Sequence, residues 1–165
     1  MMNLMKQLKT VALPFLVAFF NCCGYSARSL LPSYLKTIAI PLVTNQTIRP
    51  QLGEQLTDRL ITDFNQDGHL RVVSGTEGNL VLECRITNYT KIPPAYNADQ
   101  KVYAWRITID AQVKCEDMVR YQTLWENPVS GWVTYDPNTQ SEDDGIKEAI
   151  GKLSDEIIRK TITAW

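Results

Sequence analysis

Histidine is nearly missing from this chain: His69 is the only one in 165 residues. Nucleophilic machinery of the Cys–His or Ser–His–Asp kind would have to use that residue, and no nucleophile elbow or oxyanion-type glycine motif accompanies it. His69 directly follows Gly68, so it reads as a turn residue at the start of a strand. Cysteine is sparse as well, four in all, and no CxxC occurs among them. Zinc and redox-motif readings therefore lack their ligand spacing. Charge of one sign is not concentrated either. Lys and Arg number 17 against 18 Asp and Glu, and the longest like-charged run is Glu142-Asp143-Asp144. A nucleic-acid binder needs a basic stripe to neutralise phosphates, and these bases are scattered. The expectation is a chain that binds partners rather than an enzyme, with no metal, no cofactor and no nucleic acid.

Long apolar runs are also lacking, except at the start. Lys6 and Lys9 are the only charges before the mostly apolar run from Val11 to Phe20. That is a signal-peptide pattern, too short to span a bilayer, which takes about 20 apolar residues. Asn21-Cys22-Cys23-Gly24-Tyr25 follows, with a cysteine where lipoproteins receive a diacylglycerol. The expectation is a signal peptide over 1–22 and lipidation at Cys23. Cys22 is the alternative, because Phe20-Asn21-Cys22 departs from the usual processing box. One or two acyl chains would hold the chain at a membrane without a spanning helix. Cleavage there removes two bases and leaves 15 against 18 acids, a formal charge of −3.

What is present is a globular body, 44% hydrophobic and 21% charged in the whole chain. Residues 23–35 read as the lipidated terminus and a connector, and 36–165 as a single domain. Lys36 to Val43 is a β-rich run with Ile38, Ile40 and Leu42 on one face, and Pro41 confines it to a sheet edge or a strand end. Thr44-Asn45-Gln46-Thr47 reads as a turn. Leu52, Leu56, Leu60 and Phe64 then repeat at helical spacing, with Gly68 as the stop. Strands follow at Leu70–Val73, Asn79–Ile92 and Lys101–Glu116. In the last of these, Tyr103, Trp105, Ile107, Ile109, Ala111, Val113 and Cys115 share one face, and Arg106, Thr108, Asp110, Gln112 and Lys114 the other. Tyr121–Tyr135 reads as a strand bulged at Asn127-Pro128. Ser141 and Asp144 resemble a capping box opening a helix with Ile146, Ile150, Leu153 and Ile157 inward. The simplest packing is an α+β two-layer sandwich, with both helices on one face of a mixed, mostly antiparallel sheet. Cys84 and Cys115 could form a disulfide across neighbouring strands. A hairpin centred near residue 97 would instead offset them beyond the ~7 Å Cα reach of a disulfide, which favours two buried free thiols.

Several of these residues, in this order, resemble one family. Cys23-Gly24-Tyr25, then Ile38-Ala39-Ile40-Pro41-Leu42-Val43-Thr44-Asn45-Gln46-Thr47, is similar to the opening of the LptE-like lipopolysaccharide-assembly lipoproteins. Leu70–Val73, Leu80–Ile86 and Leu124-Trp125-Glu126-Asn127 resemble later parts of it. The resemblance implies two helices on a four-stranded sheet, and a lipid-anchored protein at the periplasmic face of the outer membrane. It also implies two partners, the LptD β-barrel, which such proteins plug and help to fold, and lipopolysaccharide. Lys91, Lys101 and Arg120, at loop ends, are the candidates for meeting anionic lipid groups. The alternative is a general envelope interaction lipoprotein without a lipopolysaccharide role, since fold does not fix function.

Overall fold

The computed structural model describes residues 31–94 and 104–164. The signal segment, Cys22, Cys23 and Lys101 lie outside them. The chain runs β1 (Thr37–Ala39), β2 (Thr44–Asn45), α1 (Leu52–Asp67), β3 (Arg71–Val73), β4 (Leu80–Ile92), β5 (Trp105–Asp117), β6 (Gln122–Tyr135) and α2 (Glu142–Thr163). The strands form one sheet in the order β3-β1-β4-β5-β6, with β2 also on β4. β1 is parallel to both β3 and β4, and β2 is parallel to β4. The long strands β4, β5 and β6 are antiparallel. The α+β class with two helices on a mixed sheet holds, but the sheet has six strands rather than four.

Two local causes explain the difference. Lys36 to Val43 is not one strand: β1 pairs with Leu80 and Val81 of β4, and β2 resumes against Arg85 and Ile86. The two lie along the same side of β4 with Pro41 between them, where a proline interrupts the ladder. Thr44 and Asn45 therefore belong to a strand and not to the expected turn. Leu42, grouped with Ile38 and Ile40 by alternation, is 70% exposed. The second cause is β3, which adds an edge beyond β1.

β6 corrects another expectation. It runs unbroken through Asn127 and Pro128, with Trp125, Val129, Gly131, Val133 and Tyr135 all buried. Its register shift falls at Leu124, where Cys115 faces Trp125 but Glu116 faces Thr123. Pro128 breaks nothing because β6 ends the sheet, and an edge strand tolerates a missing N–H.

One core joins both helix stripes to the inner sheet face. Leu52, Leu56, Leu60 and Phe64 of α1 and Ile146, Ile150, Leu153 and Ile157 of α2 pack with Leu80, Leu82, Ile86, Ile107 and Ile109. α1 touches β2, β3 and β4, whereas α2 lies over β5 and β6. Gly131 sets how close α2 comes: a Cβ there would run into the Ala149 carbonyl oxygen and stand 2.6 Å from the Leu153 nitrogen. Residues 31–35, read as connector, join the body, since Leu35 is buried in the core and Leu31 and Tyr34 pack against it.

The end of α1 and the start of α2 follow the expected chemistry. Gly68 caps α1 in the left-handed region, at φ 74, and its N–H donates to the Phe64 carbonyl. Ser141 Oγ accepts from the Asp144 N–H at 3.1 Å, satisfying one orphan donor of α2. Replacing Ser141 by Ala should lower the unfolding free energy by about 1 kcal/mol, measured as a shifted urea midpoint.

Candidate functional site

The helices cover one face of the sheet and leave the other to solvent. On β5, Arg106, Thr108, Asp110, Gln112 and Lys114 are partly exposed and alternate with buried neighbours. β4 adds Glu83, Arg85 and Asn88 to this outer face, and β6 adds Glu126, Ser130, Trp132 and Thr134. Both signs are interspersed. Asp110 accepts from Ser130 Oγ at 2.5 Å and from Asn88 Nδ2 at 3.1 Å, and Lys114 pairs with Glu116 at 2.6 Å. Trp132 is 56% exposed in this polar field, and the Arg106 guanidinium stands 4.8 Å from its ring centroid. Where Pro41 separates β1 from β2, a shallow groove of about 350 Å³ opens beside Leu42, Arg85, Gln112 and Lys114.

Lys91 occupies a different setting. It pairs in register with Ile107, which places it at the rim of the helix-bearing face. Its Nζ lies 2.5 Å from Glu142 Oε2 and 4.9 Å from the Trp105 ring centroid. Glu142, first residue of α2, also accepts from Tyr89 Oη at 3.0 Å and faces Arg49 at 3.5 Å. The hydrogen bond to Glu142 holds the Lys91 ammonium above its ordinary pKa, and Lys91 in turn pulls the Glu142 carboxyl below its own. This pair fastens the C-terminal end of β4 to the helix start, a place where the dipole also favours an acid.

Arg120 sits at the far end of the sheet, in the turn joining β5 to β6, with its guanidinium 4.6 Å from the Tyr34 ring centroid. The neighbouring Asp117 is fully buried. It accepts from Tyr34 Oη at 2.6 Å and from the Val119 and Arg120 N–H groups at 2.8 and 3.0 Å. Burial opposes ionisation of Asp117, yet these three donors keep its carboxyl below the usual range. Asp117 faces Leu80 in the ladder, and Lys91 faces Ile107. From Leu80 to Lys91 the strand spans roughly 35 Å at about 3.3 Å per residue. The structure does not bring Lys91 and Arg120 together, and Lys101 is outside the described residues.

The lipopolysaccharide-assembly family model LptE matches residues 35–161, most of the chain. The chain belongs to the LptE family. That membership makes it a lipoprotein of the LptE type, in a family without enzymatic activity. Solved structures share the fold at low identity. The XCC0632 protein of Xanthomonas campestris is 11% identical, covers 81% of this chain and 90% of its own, and has a TM-score of 0.57. A PelC dodecamer from Paraburkholderia phytofirmans is 12% identical over 78% and 88% of the two chains, with a TM-score of 0.54. A minor lipoprotein from Acinetobacter baumannii is 15% identical over 78% and 93%, with a TM-score of 0.52. No curated protein sequence matches.

Within this LptE-family chain the remaining reactive groups are tied into local structure. His69 Nδ1 lies 2.8 Å from Asp67 Oδ2, two residues away in the same turn. Among the described residues, no cluster of three or more His, Cys, Asp or Glu side chains could hold a metal ion. Cys84 and Cys115 are free and buried, and burial pushes both thiols up to about 12. In the ladder Cys84 faces Val113 and Cys115 faces Leu82, so the two are diagonal neighbours. Such residues stand about 7–8 Å apart, at the limit of disulfide reach or beyond it. The residue that sequence reasoning failed to place is Trp132. Its signal was available: unbroken alternation through Pro128 puts it on the outer face, opposite Thr108.

Proposed function

We propose that this chain is an outer-membrane lipoprotein of lipopolysaccharide assembly. In this reading it is processed after residue 22 and anchored through an acylated Cys23, with Cys22 as the alternative, at the periplasmic face of the outer membrane. It seats in an LptD-type β-barrel as plug and folding partner, and touches lipopolysaccharide as the lipid passes outward. One observation carries the plug role beyond family membership: the helix-free sheet face is polar, of mixed sign, and presents an exposed Trp132 against Arg106 at its β6 edge. Outer-membrane barrels have polar interiors, and Trp and Arg are the residues on which interfaces most often concentrate their binding energy. Lys91 and Lys101, flanking the Pro93-Pro94 loop, are proposed to meet lipid phosphates at one end. Lys91 does so only by exchanging Glu142 for the lipid. Arg120 belongs to the opposite end and is not part of that patch.

Affinity purification from detergent-solubilised envelopes tests the reading. A large β-barrel should accompany the chain, and intact mass should show loss of residues 1–22 together with an added acyl mass. The double variant Arg106→Glu, Trp132→Ala should keep its far-UV spectrum and lose the barrel, with affinity reduced by roughly 30-fold or more, about 2 kcal/mol. A barrel missing from the wild-type sample overturns the plug role and leaves a general envelope lipoprotein. A barrel retained by the double variant moves the contact off the outer face.

A further inference from the structure

Seven large hydrophobic residues are exposed on the described surface, and three of them, Met118, Val119 and Tyr121, occupy the single turn between β5 and β6. Isolated exposed hydrophobics are ordinary, but turns favour Gly, Asn, Asp and Ser, and this one reads Met-Val-Arg-Tyr. It is also held in shape from beneath. Asp117 accepts the Val119 and Arg120 N–H groups, the Met118 N–H donates to the Asn79 carbonyl at 2.9 Å, and Tyr121 is fixed at φ 53. The tip is therefore presented in one fixed conformation.

The position of the turn says what covers it. The N-terminal segment reaches the body at this end: Tyr34 donates to Asp117 and lies under Arg120, while the Lys36 and Thr37 N–H groups donate to Asn79 Oδ1. Between Cys23 and Leu31 there are eight residue steps, which span at most roughly 28 Å when fully extended. An acyl group on Cys23 therefore limits this end of the sheet to that distance from the bilayer, whereas the Lys91 end can stand a further ~35 Å away.

We propose that the Met118–Tyr121 turn is a membrane-contacting tip. It seats in the headgroup–acyl boundary of the phospholipid leaflet that carries the anchor. Met118 and Val119 enter the apolar side, the Tyr121 ring lies at the interface, where tyrosine is enriched, and Arg120 donates to lipid phosphates. The proposal rests on the lipid-anchor reading above. With so few apolar side chains the tip supplies little affinity alone. Its effect is orientation, because the tether raises the local lipid concentration and makes the second contact intramolecular.

The test uses the full mature protein, purified from membranes and reconstituted in vesicles of phosphatidylethanolamine and phosphatidylglycerol. A nitroxide is attached through Val119→Cys, with Met118→Cys as an independent second position and Asn138→Cys, at the opposite end of the sheet, as control. The buried Cys84 and Cys115 do not compete for the label. At 119 and 118, collisions with oxygen should exceed those with a water-soluble nickel chelate, and the order should reverse at 138. Labels at 118 and 119 that behave as the one at 138, on protein that floats with the vesicles, overturn the tip and leave the anchor standing. Protein that fails to float overturns the anchor and the tip with it.

Discussion

Replacing Phe64 by Ala should lower the unfolding free energy by about 3–5 kcal/mol, the range for emptying a buried aromatic site. Phe64 is fully buried in the last complete turn of α1, and it belongs to the cluster that joins that helix to the sheet. Its carbonyl also accepts the Gly68 N–H that ends the helix, so the surrounding backbone has little freedom to collapse into the vacated space. Small domains hold only about 5–15 kcal/mol in total, so the loss is a large part of the whole. Urea unfolding should show a lower midpoint at an unchanged slope, which marks a change in stability and not in compactness. A cost below about 1 kcal/mol would mean that α1 is not seated on the sheet as described.

Much of this core was legible because its signals are local. The stripe Leu52, Leu56, Leu60 and Phe64 and its stop at Gly68 use one helical period. β5 shows its two faces by strict alternation, and Ser141 with Asp144 marks the start of α2. What could not be read depends on distant partners. The apparent strand Lys36–Val43 ends at Ala39, short of Pro41, and pairing with β4 resumes at Thr44 and Asn45, beyond it, which only the register shows. Pro128 suggested a break because proline is costly inside a sheet, but β6 turned out to be an edge. The sequence does not say which of the two helices covers Trp105, Ile107 and Ile109. α2 is the helix that comes closest to them, with Ile107 Cδ1 3.1 Å from the Cβ position of Gly145. The basic candidates were the least legible. Lys91 is bound to a glutamate 51 residues later, and nothing near it in sequence indicates that its charge is already engaged.

Asp117→Ala should cost about 3 kcal/mol, since it leaves three donors without the charged acceptor they share in a buried site. Asp117→Asn should be far milder. Its amide oxygen can still accept both backbone N–H groups, which now converge on Oδ1, and its NH₂ can donate to Tyr34 Oη. The two variants separate geometry from charge. The folded-state carboxyl sits below its ordinary value, so the stability it contributes is fully present above the unfolded pKa of about 3.9 and lost as pH falls through the lower folded value. Glu142, lowered chiefly by Lys91, acts in the same direction. Denaturation midpoints between about pH 7 and pH 2 should hold steady down to about pH 5 and then fall. The fall should be shallower in Asp117→Asn. An identical profile in wild type and Asp117→Asn would remove Asp117 from the acid transition.

The position of β1 has a consequence for how the chain comes together in time. β1 is the first of the described strands to be synthesised, yet it lies inside the sheet, and the Asn79 side chain that receives Thr37 is 42 residues further on. Parallel pairing over such separations must meet the loop-closure cost before any ladder bond repays it. β4, β5 and β6 are joined in succession and meet antiparallel, so they are the natural nucleus, with β1 and β3 added afterwards along the finished edge of β4. A chain threaded through a pore N-terminus first would therefore emerge with its leading hundred residues, roughly, unable to lock. It would remain pliable until β5 cleared the exit, a delay that suits a polypeptide delivered unfolded and completed at its destination.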